Sequence, residues 1–414
     1  MNAETTSSQE QRHPAGCPVC GGKQIVRLEP ARKVLAYTTS GEDHTFILGL
    51  EGCEDCQFIF QSPRASLDEM TTYYSLQARK PRSIENLEKP FADLLDHQAA
   101  FVMRHWNPAG QQRILDVGAA EGFFLERLDR ECDAAVILEG IEPGSIYAQA
   151  ARDLLPYATI HEETLESASL PEQSYDLVTL RHVLEHILDP KAALVKIHGL
   201  LKPTGYVHVE LPDMTDFPPT MTPFLHHEHI NSFSPANLRY LFESAGFEIV
   251  EMESANDNPV GSGFAYPVQR VLALPTRDPD SAKISRQSKS CVEIYDGYNE
   301  RRDAFLADRI YPTRDKINAL VAAGKKVAVF GAGPHTSDLF YTLGFTAETF
   351  AVAFDNNVHK AGKQFRGIPI QAPTRDALAQ VDAVVISSEQ YELAISDQIA
   401  SFGLPDLQVF RLYS

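Results

Sequence analysis

Apolar positions along this chain fall into two recurring patterns, short continuous runs and stripes at helical spacing. Their arrangement divides the sequence. Residues 13–80 hold three strand-like runs, KQIVRLE, HTFILGLEG and FIFQS, punctuated by glycine and proline. The stretch ENLEKPFADLLDHQAAFVMRHW, residues 85–106, carries its apolar positions at helical spacing and reads as a helical lead-in.

From 111 to 255 strand and helix patterns alternate. RILDVG, AVILEGIEP, YDLVTLRHV and GYVHVELP read as strands, with GFFLERLDREC and PKAALVKIHGLLKP as helices between them. That alternation predicts a parallel α/β sheet. Residues 256–300 are irregular apart from a strand candidate at YPVQRVLAL, and a long helical stretch covers 296–323. A second alternating unit, 325–414, then predicts a smaller α/β sheet. The expected division is a disordered start at 1–12, a cysteine-bearing module at 13–80, an α/β domain with its lead-in at 81–255, and a C-terminal Rossmann-like domain with a helical linker at 256–414. No repeat of 20–50 residues recurs, so a solenoid is excluded.

Charge narrows the partners. The chain has 414 residues and a formal net charge of −19. Such a surface repels phosphate backbones and anionic lipid, which argues against nucleic acid and membrane as partners. No apolar run is long enough to span a bilayer, and the polar opening MNAETTSSQEQRHPAG is no secretory signal. The expected compartment is the cytoplasm. Four of the six cysteines form two CxxC pairs, Cys17/Cys20 and Cys53/Cys56, separated by residues 21–52. Two such turns can complete a tetrahedral structural Zn2+ site with no open position; redox pairs and disulfides are the alternatives. Cys132 and Cys291 read as buried small apolar residues.

The first glycine loop follows the strand ILDV: Asp116-Val117-Gly118-Ala119-Ala120-Glu121-Gly122. Its spacing is GxxxG rather than GxGxxG, and Glu121 inside it would repel a pyrophosphate. S-adenosylmethionine (SAM), cationic and free of phosphate, tolerates such acids. Glu142 ends the next strand, where an acid accepts ribose hydroxyls. Thr164 and Leu165 follow the third strand, where adenine is expected, and the fourth delivers His182 and His186. Five such elements in order, across residues 111–255, resemble the class I SAM-dependent methyltransferases.

After the last sheet strand comes His226-His227-Glu228-His229. A second metal site and a solvated loop are the plain readings. The functional one is a general base beside the methyl donor, with Glu228 orienting the ring. The whole order of parts resembles the three-domain sugar C-methyltransferase family, whose members methylate nucleotide-linked ketosugars. The resemblance implies a zinc module, a SAM domain, and a Tyr-x-Glu-His motif whose histidine is the base. Glu228 and His229 match that motif, while His226 stands where the tyrosine belongs. A second family histidine falls on His186. A further tyrosine falls near Tyr73 and Tyr74, and is placed at Tyr74.

A second glycine loop, Gly331-Ala332-Gly333-Pro334-His335-Thr336, carries the first two glycines of a dinucleotide fingerprint, with Asp355 about 20 residues on. It is open to three readings: a nucleotide-sugar pyrophosphate, NAD, or a purely structural sheet. Gly331, Gly333, His335, Asp355, Ser387 and Tyr391 are the expected substrate-binding residues. The leading expectation is C-methylation of a nucleoside-diphosphate ketosugar with His229 as base. His186, His226 or the tyrosine near 73–74 would hold the enolate oxygen. O-methylation of a sugar or glycan precursor, a zinc-ribbon RNA methyltransferase and a non-catalytic sugar-nucleotide scaffold are the alternatives.

Overall fold

A computed structural model describes residues 12–37, 43–75, 81–132, 135–220, 223–257, 266–276, 282–284, 288–358, 360–389 and 391–413. The start at 1–11 lies outside them. Among the described residues no helix is long and apolar enough to cross a membrane.

The N-terminal module is an antiparallel sheet of β1 (Ile25–Tyr37), β2 (Asp43–Cys53) and β3 (Ile59–Gln61), followed by α1 (Leu67–Ser75). On β2 Phe46, Leu48 and Leu50 are buried at alternate positions while Ile47 is exposed, the two-residue period of a one-sided sheet. The lead-in is α2 (Lys89–Met103). Pro90 stands in its first turn, where its missing N–H has no helical partner to lose, and Leu95, Ala99 and Val102 form its buried stripe.

The central domain contains β4 (Gln112–Val117), α3 (Phe123–Glu131), β5 (Val136–Ile141), α4 (Ser145–Leu154), β6 (Thr159–His161), β7 (Tyr175–Arg181), α5 (Pro190–Leu200) and β8 (Leu201–Pro212). After it come β9 (Asn231–Ser232), α6 (Pro235–Ser244), β10 (Phe247–Asp257) and β11 (Tyr266–Pro275). Asp189 caps α5, its carboxylate accepting the Ala192 N–H at 2.8 Å. The sheet order is β10-β11-β8-β7-β4-β5-β6, with β11 running antiparallel to its neighbours β8 and β10. The sequence division at 255 leaves β11 with the C-terminal part, yet its residues 268–273 pair with β8. The sheet therefore runs on to Pro275. An antiparallel return strand breaks the strand–helix alternation, so the pattern alone could not assign it.

β9 pairs with β3, so the N-terminal sheet is completed by the chain just beyond the histidine segment. Phe58 also packs against Phe233, ring centroids 5.1 Å apart, and one apolar core runs from the cysteines into the central sheet.

α7 (Cys291–Phe305) begins at a Ser290–Glu293 capping box and packs Cys291, Ile294 and Tyr298 against the N-terminal sheet. After a wider turn at Leu306–Ile310 follow α8 (Tyr311–Ala322), β12 (Val327–Phe330), α9 (Pro334–Leu343), β13 (Val352–Phe354), β14 (Gln364–Phe365), β15 (Ile368–Gln371), α10 (Arg375–Leu378), β16 (Ala383–Ile386), α11 (Glu392–Ser401) and β17 (Gln408–Arg411). Their sheet order is β14-β15-β13-β12-β16-β17, parallel apart from β14, with an apolar core on each face. The fully apolar strands VAVF and AVVI are the signature of a sheet covered on both sides.

Candidate active site

The first glycine loop leaves β4 through three left-handed residues, Gly118 (φ 73°), Ala120 (φ 46°) and Gly122 (φ 82°), and Gly122 caps α3. A Cβ on Gly118 would stand 2.4 Å from Cγ2 of Val183, so only glycine lets the loop lie against the end of β7. Ala119 is buried beside it. Glu142, just past β5, accepts the N–H of Ala120 at 3.0 Å and of Gly144 at 2.7 Å. Burial raises its pKa and those two N–H groups pull it back. Glu121 accepts the N–H of Arg82 at 2.9 Å, and the Arg82 guanidinium lies 4.5 Å over the Phe91 ring. The lead-in thus borders the loop.

Asp116 is 1% exposed and accepts the Thr179 hydroxyl at 2.5 Å, while its Oδ2 has no hydrogen-bond partner among the described residues; burial pushes its pKa up. Thr164 is engaged in a turn with Ser167, and Leu165 is buried in the core. An open backbone, a carboxylate past the second strand and an acid in place of phosphate-binding cations fit SAM rather than a dinucleotide.

His182 and His186 follow β7, on the strand neighbouring the glycine loop. His182 has φ 53°, and its Nε2 lies 3.3 Å from Glu210 Oε1. Burial alone would discharge this ring, but Glu185 and Glu210 outweigh it and raise the pKa to about 10. The loop 224–230 brings three more imidazoles. The His186 and His229 ring centroids are 5.4 Å apart and those of His226 and His229 5.5 Å. Burial, reinforced by the neighbouring His186, lowers His229 to about 4 against the pull of Glu185 and Glu228, so its ring is neutral at pH 7. His226 is lowered as well, by burial and by His227; its Nδ1 accepts the Glu228 N–H at 3.3 Å. His186 Nδ1 lies 2.7 Å from the Glu228 carbonyl and must donate to it, which leaves Nε2 to take a proton. Gln61 of β3 holds the loop by donating to the carbonyls of His226 (2.6 Å) and His229 (3.0 Å).

Across this cluster stands Tyr73 of α1. Its hydroxyl donates to Glu228 Oε1 at 3.2 Å and lies 2.8 Å from His227 Nε2. Because the hydroxyl proton points to Glu228, His227 is the donor to the same oxygen. The tyrosine brought to the histidines is therefore Tyr73; the side chain of Tyr74 lies outside the described ones. Met70 and Tyr73, three apart, share the buried face of α1, a register that adjacency in sequence does not reveal.

In the C-terminal sheet Gly331 is left-handed (φ 109°), and a Cβ there would meet Ser387 Oγ at 2.7 Å. Ser387 is 1% exposed; it donates to the Phe330 carbonyl at 2.9 Å and lies 2.6 Å from Thr336 Oγ1. It is a brace under the loop, not a lining residue. Gly333 is extended and caps α9, and His335 is half-buried in its first turn. Asp355 accepts the Ala332 N–H at 3.0 Å and pairs with Lys360 at 2.8 Å, so a lysine that the sequence reading passed over sits at this acid. Tyr391 is 36% exposed, and its hydroxyl feels Glu88 and Arg82 of the lead-in. Burial, then Glu392, raises Glu389 to about 7. The start of α11, which Tyr391 caps, thus lies near the residues just ahead of α2, of which Arg82 also contacts the first glycine loop.

The description "Methyltransferase domain" matches residues 80–252, and "C-methyltransferase C-terminal domain" matches residues 286–404. The chain is a SAM-dependent methyltransferase that carries both of these domains. The C-methyltransferase NovU of Streptomyces niveus is 27% identical over 297 residues, 70% of this chain and 69% of that protein. The ubiquinone biosynthesis O-methyltransferase of Aeromonas salmonicida is 28% identical over 168 residues, 37% of this chain and 70% of that one. The solved SAM-dependent methyltransferase of Mesorhizobium loti is 18% identical with a TM-score of 0.36, covering 44% of this chain and 99% of that chain.

In this methyltransferase the two CxxC turns converge. Cys17 and Cys56 Sγ are 3.5 Å apart, Cys20 and Cys53 Sγ 3.6 Å, and all four lie within 4.8 Å of one another with no disulfide between them. Sulfurs at ~2.3 Å from one tetrahedral ion have about this spacing, so the donor set fits Zn2+. The N–H groups of Val19 and Gly22 point at Cys17 and Cys20 Sγ, as supports for thiolates. The methyltransferase also holds a buried pair that sequence reading missed, Glu210 with Arg270 at 2.5 Å. Both lie on strands, β8 and β11, whose pairing no local pattern announces.

Proposed function

We propose that this enzyme methylates a carbon next to a ketone on a nucleotide-linked hexose, with His229 as the general base. The observation that carries the reading is the packing of His229 against His186 and His226, ring centroids 5.4 and 5.5 Å apart, at the sheet edge that holds the glycine loop. Bound SAM supplies an electrophilic methyl group. Gly118, Glu121 and Glu142 hold its nucleoside end, and His182 closes that edge. His229 takes the acidic proton from the acceptor carbon, leaving an enolate. Tyr73, His186 and His226 surround the place where the enolate oxygen develops charge. The match of residues 286–404 to a C-methyltransferase C-terminal domain, and the relative NovU, support transfer to carbon. The loop of Gly331, Gly333 and His335 with Asp355, and Tyr391 at the start of α11, hold the nucleoside diphosphate. Cys17, Cys20, Cys53 and Cys56 hold a structural zinc.

The test is to incubate the full chain with methyl-13C SAM and dTDP-, UDP-, GDP- and CDP-linked ketohexoses. A C-methyl resonance on one of them is expected, and O-methyl signals alone would overturn the reading. Thermal shift of the S-adenosylhomocysteine-loaded enzyme names the carrier, since a nucleotide at ~100 times its Kd adds ~2.7 kcal/mol. A flat response to all four nucleoside diphosphates would remove the nucleotide.

A further inference from the structure

We propose that Glu185 is the positioning carboxylate of this site, holding the positive charge that the His186–His229 pair acquires when the acceptor gives up its proton. The inference rests on the reading of His229 as the base.

Glu185 lies in the turn after β7, and its side chain is 2% exposed. Among the described residues neither carboxylate oxygen has a partner within 3.5 Å, the nearest donor being His182 Nδ1 at 3.6 Å. A buried carboxylate is costly unless charge compensates it, and the one standing cation beside it, the His182 ring, is shared with Glu210. Here the neighbours are imidazoles. Oε1 is 3.6 Å from His182 Nδ1 and 3.6 Å from His186 Nε2, and the polar atoms of Glu185, His186 and His229 all lie within 4.8 Å of one another.

The tautomers give the arrangement a direction. His186 spends its Nδ1 proton on the Glu228 carbonyl, so in the neutral ring the Nε2 lone pair faces the Glu185 carboxylate. Lone pair against carboxylate is unfavourable; a protonated Nε2 against it is favourable. Glu185 thus disfavours the resting neutral pair and favours the pair that has gained a proton, which is the difference a catalytic site needs. Glu228, adjacent to His229 in sequence, directs Oε1 to Tyr73. In the step itself the acceptor C–H bond breaks, its electron pair stays on the acceptor as enolate, and the proton bonds to imidazole nitrogen. Glu185 takes no proton. The groups facing it are His182 and His186 on its own turn, His229 and Glu228 on the 224–230 loop, and Tyr266 at the start of β11.

The test compares Glu185→Gln, Glu185→Asp and His229→Ala in the full chain. The assays are turnover of the ketohexose accepted by wild type, S-adenosylhomocysteine binding, and NMR titration of the ring 13C–1H signals. Glu185→Gln keeps the shape and removes only the charge. A charge-assisted contact of ~1.5–3 kcal/mol corresponds to a ~10–100-fold loss of kcat. KM and S-adenosylhomocysteine affinity are expected to hold within about twofold. The acid limb of kcat and the His229 midpoint should both move to lower pH, and Glu185→Asp should recover part of kcat. Wild-type kcat with an unmoved limb in Glu185→Gln, beside an inactive His229→Ala, overturns the role of Glu185. A fully active His229→Ala overturns the underlying reading instead. A divalent metal bound beyond one zinc per chain, and lost in Glu185→Gln, would make the carboxylate a metal ligand and also overturn the proposal. If Glu185→Gln proves unfolded, the same titration on Glu185→Asp decides, because a longer gap to His186 must still lower the His229 midpoint.

Discussion

The hydroxyl of Tyr73 donates to Glu228 across 3.2 Å, joining a helix of the cysteine-bearing module to the histidine loop of the methyltransferase domain. The cysteine-bearing module thereby contributes a side chain to the histidine cluster proposed as the acceptor site.

Tyr73→Phe keeps the ring, which packs edge-on against Phe46 at 5.7 Å, and removes the hydroxyl that bonds both Glu228 and His227. Turnover is expected to fall by roughly tenfold or more, the effect of a ~1.5–3 kcal/mol contact to a charged group. S-adenosylhomocysteine affinity should stay unchanged, because Tyr73 is remote in sequence and contact from the glycine loop. Steady-state kinetics beside calorimetry separates the two.

His229→Ala removes the proposed base. Loss of a general base corresponds to ~10²–10⁴ in rate, so turnover should fall by that factor with cofactor affinity retained. Exchange of the acceptor proton with solvent deuterium, followed by NMR with S-adenosylhomocysteine bound, should vanish in parallel. Persistent exchange would move the base elsewhere.

Removing zinc should unfold more than the cysteine turns. Cys53 and Cys56 belong to the same apolar core as Phe233 and Phe242 of the central domain, and structural zinc binding is worth ~10–16 kcal/mol in small modules. Chelation of the full chain, or Cys53→Ser, is expected to lower Tm and turnover together. Metal analysis should find one zinc per chain before treatment. Unchanged stability in zinc-free protein would refute the assignment.

Acid sensitivity should trace to the buried histidines, His208 among them. Its ring is fully buried between Phe101 and Phe124, and burial holds it at about 4, against the pull of Glu210. The folded pKa is below the unfolded value of 6.5, so the unfolded chain binds this proton first. The contribution is intact above pH 6.5 and shrinks as pH falls towards 4, by up to about 3 kcal/mol. Urea unfolding from pH 7 to 4.5 should show that slope, and His208→Phe should lessen it by this residue's share while His226 and His229 keep theirs.

Local sequence determined a good part of this protein. Two CxxC turns, a strand–glycine loop–helix unit and a fully apolar second sheet are each written in contiguous residues, because turns, caps and periodicity depend on near neighbours. The convergence of His186 with the 226–229 segment was legible too, since both follow strands of one parallel sheet at its binding edge. What the tertiary structure alone decided are relations between distant segments. It chose Tyr73 through the buried face of α1, returned β11 antiparallel into the sheet, buried Ser387 beneath its loop, and set Lys360 on Asp355. Above all it left Glu185 dry among three imidazoles. Desolvation and through-space charge depend on what packs nearby in three dimensions, and no spacing along the chain records that.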